Sequence, residues 1–176
     1  MIINGYEIKP GANLHKANLS GAKLYRANLS RANLNRADLR KANLSEANLS
    51  GAKLYRAKLR KANLRKANLC GANLRGANLR KANLNRADLR GANLYEAKLC
   101  EAYLSWADLR RTNLDYSCWP LWCGSFDVTV DDRLVRQLLY HVCRLRNESD
   151  WFRNIVDTIK GEANKFHRVE ECGVIK

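Results

Sequence analysis

Arg40, Arg60 and Arg80 stand 20 residues apart, and each is followed by a lysine: Lys41, Lys61 and Lys81. Guanidinium and ammonium groups hold carboxylates and phosphates through charge-assisted hydrogen bonds, so their chemistry is anion binding. Other candidate groups are sparse. The three histidines, His15, His141 and His167, lie in no nucleophile–base motif, and the chain has neither a GxxxxGK nor a GxGxxG loop. An enzyme is not expected, and no cofactor is implied. Cys118-x4-Cys123 with His141-x-Cys143 is not a usual zinc spacing. Buried thiols are the expectation there, with no metal.

The charge is localised. The 176 residues carry 32 Lys and Arg against 17 Asp and Glu, a formal +15. Residues 11–116 hold 22 of the cations and 7 of the anions, while residues 117–176 are balanced. Any electrostatic function therefore belongs to the middle segment. The first ten residues, MIINGYEIKP, show no basic leader followed by an apolar core, and no apolar run approaches the roughly 18 residues of a membrane span. A cytoplasmic location without membrane contact is the default expectation. All six cysteines are then expected to be reduced.

The cations must be positioned by what surrounds them, and that is a repeat. Alanine recurs every five residues from Ala12 to Ala107, with Thr112 in the next place, and leucine follows two residues later from Leu14 to Leu114. The result is 21 consecutive pentapeptides unbroken at leucine. On an α-helix, successive leucines would be rotated by about 140° and would spiral around the axis. On a flat strand they would alternate faces. Both conflicts vanish if the chain turns a corner every five residues. Alanine and leucine then both point inward on each short side.

The pattern resembles the pentapeptide-repeat family, written A(D/N)LXX, over residues 11–116. The resemblance implies an all-β solenoid: a right-handed quadrilateral β-helix with four pentapeptides, or 20 residues, per coil. Here that means about five coils, roughly 25 Å long at a spacing of about 4.8 Å. Leucines would stack down the axis, and Asn or Asp would serve turns and stacked side-chain hydrogen bonds. The best-known members mimic duplex DNA and act on type II topoisomerases. That role needs an acidic surface, and this chain is strongly basic.

A 20-residue coil unrolls the surface into columns. Arg40, Arg60 and Arg80 form one column, and Lys41, Lys61 and Lys81 its neighbour. Lys58 precedes a leucine on the same side, and the adjoining corner carries Arg36 and Arg56. These nine residues are the candidate anion-binding site. The next side is mixed, with Arg26, Glu46, Lys66 and Arg86 in one column. Tyr55, Arg75 and Tyr95 share a column that suits either base stacking or ordinary packing. A fourth column of Gly51, Gly71 and Gly91 suits a corner with positive φ.

Solenoid ends need covers. Residues 1–10 are the expected N-terminal cap, with Ile2, Ile3, Tyr6 and Ile8 over the first coil. The β-helix is expected over 11–119, with Trp119 plugging the last coil. Residues 120–176 read as a small α-helical C-terminal cap. One helix follows an Asp131 or Asp132 cap, with Leu134, Leu138, Leu139, Val142 and Leu145 apolar. A second follows Ser149, with Trp151, Phe152, Ile155, Val156 and Ile159 apolar, and a third is expected over 162–172. A homodimer through residues 131–172 fits such a segment.

Three functions follow as expectations. The first is a non-enzymatic module whose basic face engages an anionic macromolecule, nucleic acid or acidic protein. The second is an inhibitor or regulator of a nucleic-acid-handling complex, acting through the solenoid faces or the helical tail. The third is a spacer without a ligand.

Overall fold

The computed structural model describes residues 1–118, 127–143 and 149–165. Trp119, Cys123 and Leu145, and the greater part of the expected third helix, lie outside them. The chain forms two compact units, Met1–Thr129 and Val130–Lys176.

Leucine burial explains the first unit. Leu19 to Leu109 are fully inaccessible at every fifth position, and Leu14 and Leu114 keep only 2% and 4%. Alanines two residues earlier are buried with them, and Thr112 takes the alanine place because its hydroxyl donates to Leu89 O at 3.0 Å. Parallel bridges join each Asn, Asp or Lys before a leucine to the residue 20 later, from Asn13–Asn33 through Asn93–Asn113. Around each leucine the backbone ties coil to coil. Leu64 N donates to Asn83 O at 2.7 Å, Lys66 N to Asn85 O at 2.9 Å and Asn63 N to Ala42 O at 2.9 Å. One further bond, Ala67 N to Leu64 O at 2.9 Å, closes the corner. The backbone groups flanking each leucine thus pair mostly with the coils above and below, as a buried β-surface requires.

The corners share one conformation. All 22 positions from Gly11 to Tyr116, taken every fifth residue, have positive φ, and 16 of them are not glycine. The glycine column at Gly51, Gly71 and Gly91 therefore has the left-handed backbone expected of it, with φ near 65°, but so do Lys61 and Arg86. A corner does not demand glycine here, although a side chain there costs about 1 kcal/mol.

The asparagines act more locally than a stacked ladder. Each Oδ1 mostly accepts from the backbone N–H two residues on, as Asn63 does from Arg65 at 3.1 Å and Asn78 from Arg80 at 3.2 Å. A direct side-chain rung joins Asn33 Nδ2 to Asn13 Oδ1 at 3.2 Å. The Asx turn wins because it satisfies an N–H that the corner exposes.

At the N-terminus a hairpin forms, strand β1 (Ile2–Ile3) against antiparallel β2 (Tyr6–Glu7). Asn4 and Gly5 turn it, with φ of 52° and 80°, the positive pair that an Asn-Gly hairpin turn uses. Asn4 Nδ2 donates to Asn18 O at 3.2 Å and Asn18 N to the Tyr6 hydroxyl at 3.5 Å, so the hairpin meets the open edge of the first coil. Ile8 is buried, but Ile2 points to solvent at 76% exposure, against expectation. The two-residue strands alternate faces, and only one face can meet the coil.

The last coil departs from the 20-residue register. Asp88 bridges Asp108 as expected, but Asp108 bridges Thr129, one residue late. On the opposite side of the square, Cys100 and Cys118 form a disulfide with Cα atoms 5.6 Å apart, which corrects the expectation of six reduced thiols. Position explains it. The residue after one leucine adjoins the residue before the leucine one coil on, 18 positions later, just as Arg90 lies 3.8 Å from Asp108. Such bonds persist in oxidising compartments. We predict that a dithiol reductant will speed amide exchange at Cys118 and Thr129 roughly tenfold or more, because the closed loop no longer restrains that coil. Exchange at Leu44 and Leu64 should not change. Equal exchange with and without reductant would refute the restraint.

The second unit packs helix α1 (Asp132–Cys143) on helix α2 (Asp150–Ala163). Asp131 is the α1 cap, its Oδ1 accepting from Leu134 N at 3.0 Å, and Ser149 caps α2 through Phe152 N at 3.3 Å. Tyr140 and Ala163 are buried together, with Leu139 and Cys143 against them. Helix α2 runs to Ala163 and is capped by Asn164, so residues 162 and 163 end this helix instead of starting a third. Trp151 is 71% exposed, flanking a shallow groove with Asn154, Ile155, Thr158 and Ile159. It lies off the arc that holds Phe152, Val156 and Ala163, which explains its exposure.

Candidate anion-binding face

All nine candidate residues are exposed on the solenoid, on one side and its two corners. Parallel register sets the columns: Asp38 bridges Lys58 and Lys58 bridges Asn78, so the residues two positions on, Arg40, Arg60 and Arg80, follow one another down the side. Lys41 and Lys61 take the corner at φ 59° and 61°, with Lys81 at 58°. Arg36 and Arg56 hold the preceding corner at 57° and 53°.

Sequence reasoning placed these residues together but missed which are neutralised. Arg40 makes a bidentate pair with Asp38, its Nε 2.8 Å from Oδ1 and its Nη2 2.5 Å from Oδ2. Hydrogen bonding from Arg40 holds the Asp38 carboxyl below its ordinary range, against a smaller desolvation effect that raises it. Glu101, one coil below, takes Arg80 at 3.2 Å and Lys81 at 3.0 Å. Its carboxyl is lowered first by the Lys81 hydrogen bond and then by that of Arg80. Arg56 lies over the Tyr55 ring at 5.1 Å. Among the described residues, Arg36, Lys41, Arg56, Lys58, Arg60 and Lys61 have no carboxylate within ion-pairing distance, although Lys58 adds a little to the lowering of the Asp38 carboxyl. The unpaired cations of the side therefore lie between Arg36 and Lys61.

A readable signal existed. Every Asp-Leu-Arg triplet in the chain folds its arginine back onto its own aspartate: Asp38 with Arg40, Asp88 with Arg90 at 2.7 Å, and Asp108 with Arg110 at 2.5 Å. Both side chains leave the same side, two residues apart. Lys58-Leu59-Arg60 has a cation in the aspartate position, so Arg60 has no such partner. On the opposite side, Arg90 and Arg110 are neutralised by their own aspartates.

The neighbouring columns resolve similarly. Arg26 meets Glu46 at 2.8 Å on the mixed side. In the aromatic column Arg75 lies 4.8 Å from the Tyr95 ring centre, and Tyr95 meets Tyr116 edge-on at 5.4 Å. Both faces of Tyr95 thus have protein neighbours, which is column packing.

A square, four-sided coil of registered pentapeptides filled with leucine defines a class of protein built as a scaffold with programmable outer columns. The pentapeptide-repeat family model matches residues 12–51, 52–91 and 77–115, with eight copies per match, and the chain belongs to the pentapeptide-repeat family. Its members fold as right-handed quadrilateral β-helices and generally serve as structural or binding modules. No curated protein matches the chain. Among solved structures it is similar to a pentapeptide repeat protein of the Arabidopsis thaliana thylakoid lumen, with 27% identity over 69% of this chain and 88% of the other and a TM-score of 0.48. It also matches HetL, involved in heterocyst differentiation regulation in the cyanobacterium Nostoc sp. strain PCC 7120. Identity there is 34%, over 70% of this chain and 62% of HetL, with a TM-score of 0.31. The fluoroquinolone resistance protein QnrB1 is 20% identical over 75% of this chain and 85% of its own, with a TM-score of 0.28.

Proposed function

We propose that the solenoid is a non-enzymatic binding module whose basic side engages an anionic macromolecule. The observation that supports this most is the group without ion pairs, Arg36, Lys41, Arg56, Lys58, Arg60 and Lys61, in a protein that pairs Arg40, Arg80, Arg90 and Arg110 with carboxylates. Stacked cations with nothing between them repel, and a bound anion removes that cost. Corner chemistry adds to it. Eleven of the 22 left-handed corners hold Lys or Arg, where glycine would be free of strain. The backbone of this side needs no reordering on binding, so the entropy cost is confined to ordering the lysine and arginine side chains.

The test uses heparin as a generic polyanion and the full chain. Binding is expected at about 50 mM salt and should weaken at least tenfold by about 200 mM, as counterion release requires. No binding at the lower salt would overturn the reading.

A further inference from the structure

We infer that the anionic partner is the phosphate backbone of a nucleic-acid duplex, bound without reading its sequence; this rests on the anion-binding reading above. Three features of the side select that partner class.

The first is what the side lacks. Protein interfaces are anchored by buried aromatic or aliphatic residues, with charges at their rim. Nucleic-acid interfaces are polar and strongly cationic. From Asn18 to Lys98 this side and its corners present Lys, Arg, Asn, Ser, Gly and a few carboxylates, with no exposed large apolar residue. Tyr25, Tyr103 and Trp106 are exposed on the next side, and Tyr116 closes the Arg36–Arg56 corner column three coils below Arg56, packed edge-on against Tyr95. An acidic protein would find charge here but no anchor.

The second concerns single strands. Proteins that grip them offer aromatic platforms on which bases stack. Tyr55 and Tyr95, the nearest candidates, are half-buried and already covered by Arg56 and Arg75. A duplex keeps its bases stacked within itself and needs no platform.

The third is shape. Reading base edges requires an element that enters a groove, usually a helix or a ribbon. Here the cations rise from a wall of stacked coils, and nothing on that wall projects further than a side chain. Such a wall touches backbone phosphates, which position a protein but carry no sequence information.

Ion pairing then sets a number. Six unpaired cations predict a slope of log K against log salt of about −5 on duplex DNA, where all nine candidates would give about −8. Two substitutions release the rest without disturbing the scaffold. Asp38→Asn frees Arg40 and installs the residue that Asn18 and Asn78 already supply in that column. Glu101→Gln frees Arg80 and Lys81. Together they should steepen the slope to about −8 and tighten binding. Asp88→Asn removes the same charge from the opposite side and should leave the slope unchanged.

The experiment titrates the full chain and these variants with a random-sequence DNA duplex, the corresponding single strand and poly-glutamate over a salt series. Duplex preferred to both competitors, with the slope responding to Asp38→Asn and Glu101→Gln alone, supports the inference. A tighter complex with the single strand or with poly-glutamate would overturn it while leaving the anion-binding reading standing. An equal response to Asp88→Asn would overturn the assigned side. Absence of binding to any of the three at low salt would defeat both readings.

Discussion

Arg60→Glu combined with Lys61→Glu should weaken polyanion binding on the order of 100-fold at about 100 mM salt. The pair sits at the centre of the unneutralised group, so reversal does more than remove two contacts. It places two carboxylates beside Lys41 and Lys58 and lets them satisfy one another in the free protein. A neutral variant would only subtract. The fold should tolerate the change. Arg60 is exposed, and the left-handed corner at Lys61 has the same conformation as those that Glu46, Glu96 and Glu101 already occupy, with φ of 58°, 58° and 61°. Arg90→Glu, on the opposite side, serves as the control and should alter affinity by less than about threefold. Affinity that survives the double reversal, with an unchanged thermal transition, would remove the functional assignment of this side.

Leu64→Ala should cost the protein about 2–5 kcal/mol, measured as a shift of the urea midpoint. Leu64 is fully inaccessible and lies between Leu44 and Leu84 in one internal column. Two properties place the cost in the upper part of that range. The wall around it cannot collapse inward, because each side is tied to its neighbours by bonds such as Leu64 N to Asn83 O at 2.7 Å and Asn63 N to Ala42 O at 2.9 Å. A solenoid also couples only adjacent layers, so a weakened middle coil separates two halves that otherwise stabilise one another. Leu14→Ala, in the first coil, should cost less, since it weakens one interface instead of two. Equal losses at both positions would show that layers are not the unit of cooperativity.

The sequence carried the period and a corner every five residues, because registered leucines must bury themselves, and the family resemblance supplied the 20-residue columns and with them the side on which the cations gather. It also carried, unread, the distinction between paired and unpaired cations: Asp38-Leu39-Arg40 closes on itself and Lys58-Leu59-Arg60 does not. Other features depend on contacts that a column diagram hides. Cys100 finds Cys118 at a diagonal of 18 residues, whereas Glu101, the next member of the Lys81 column, was there to be read as a partner of Lys81 and Arg80. The late bridge from Asp108 to Thr129 has no counterpart in the repeat, since it arises where the leucine pattern ends. Ile2 and Trp151 were misjudged for a common reason. Apolar type gives a residue's preference, whereas short strands and two-helix pairs leave some apolar positions with no surface to cover them.

The four-sided register makes the outer columns sensitive to phase. Each pentapeptide is one side of the square, so a single inserted repeat between Leu59 and Leu79 would turn everything below it by a quarter revolution. The core would not notice, because every side presents the same alanine and leucine inward. Arg80 would leave the column of Arg60, and an unrelated side chain would take its place. Four inserted repeats would instead lengthen the basic wall by one layer and keep it whole. In this architecture a change in length by multiples of 20 extends a surface, and any other change in whole repeats rewrites it. The scaffold and its message are thus free to vary independently.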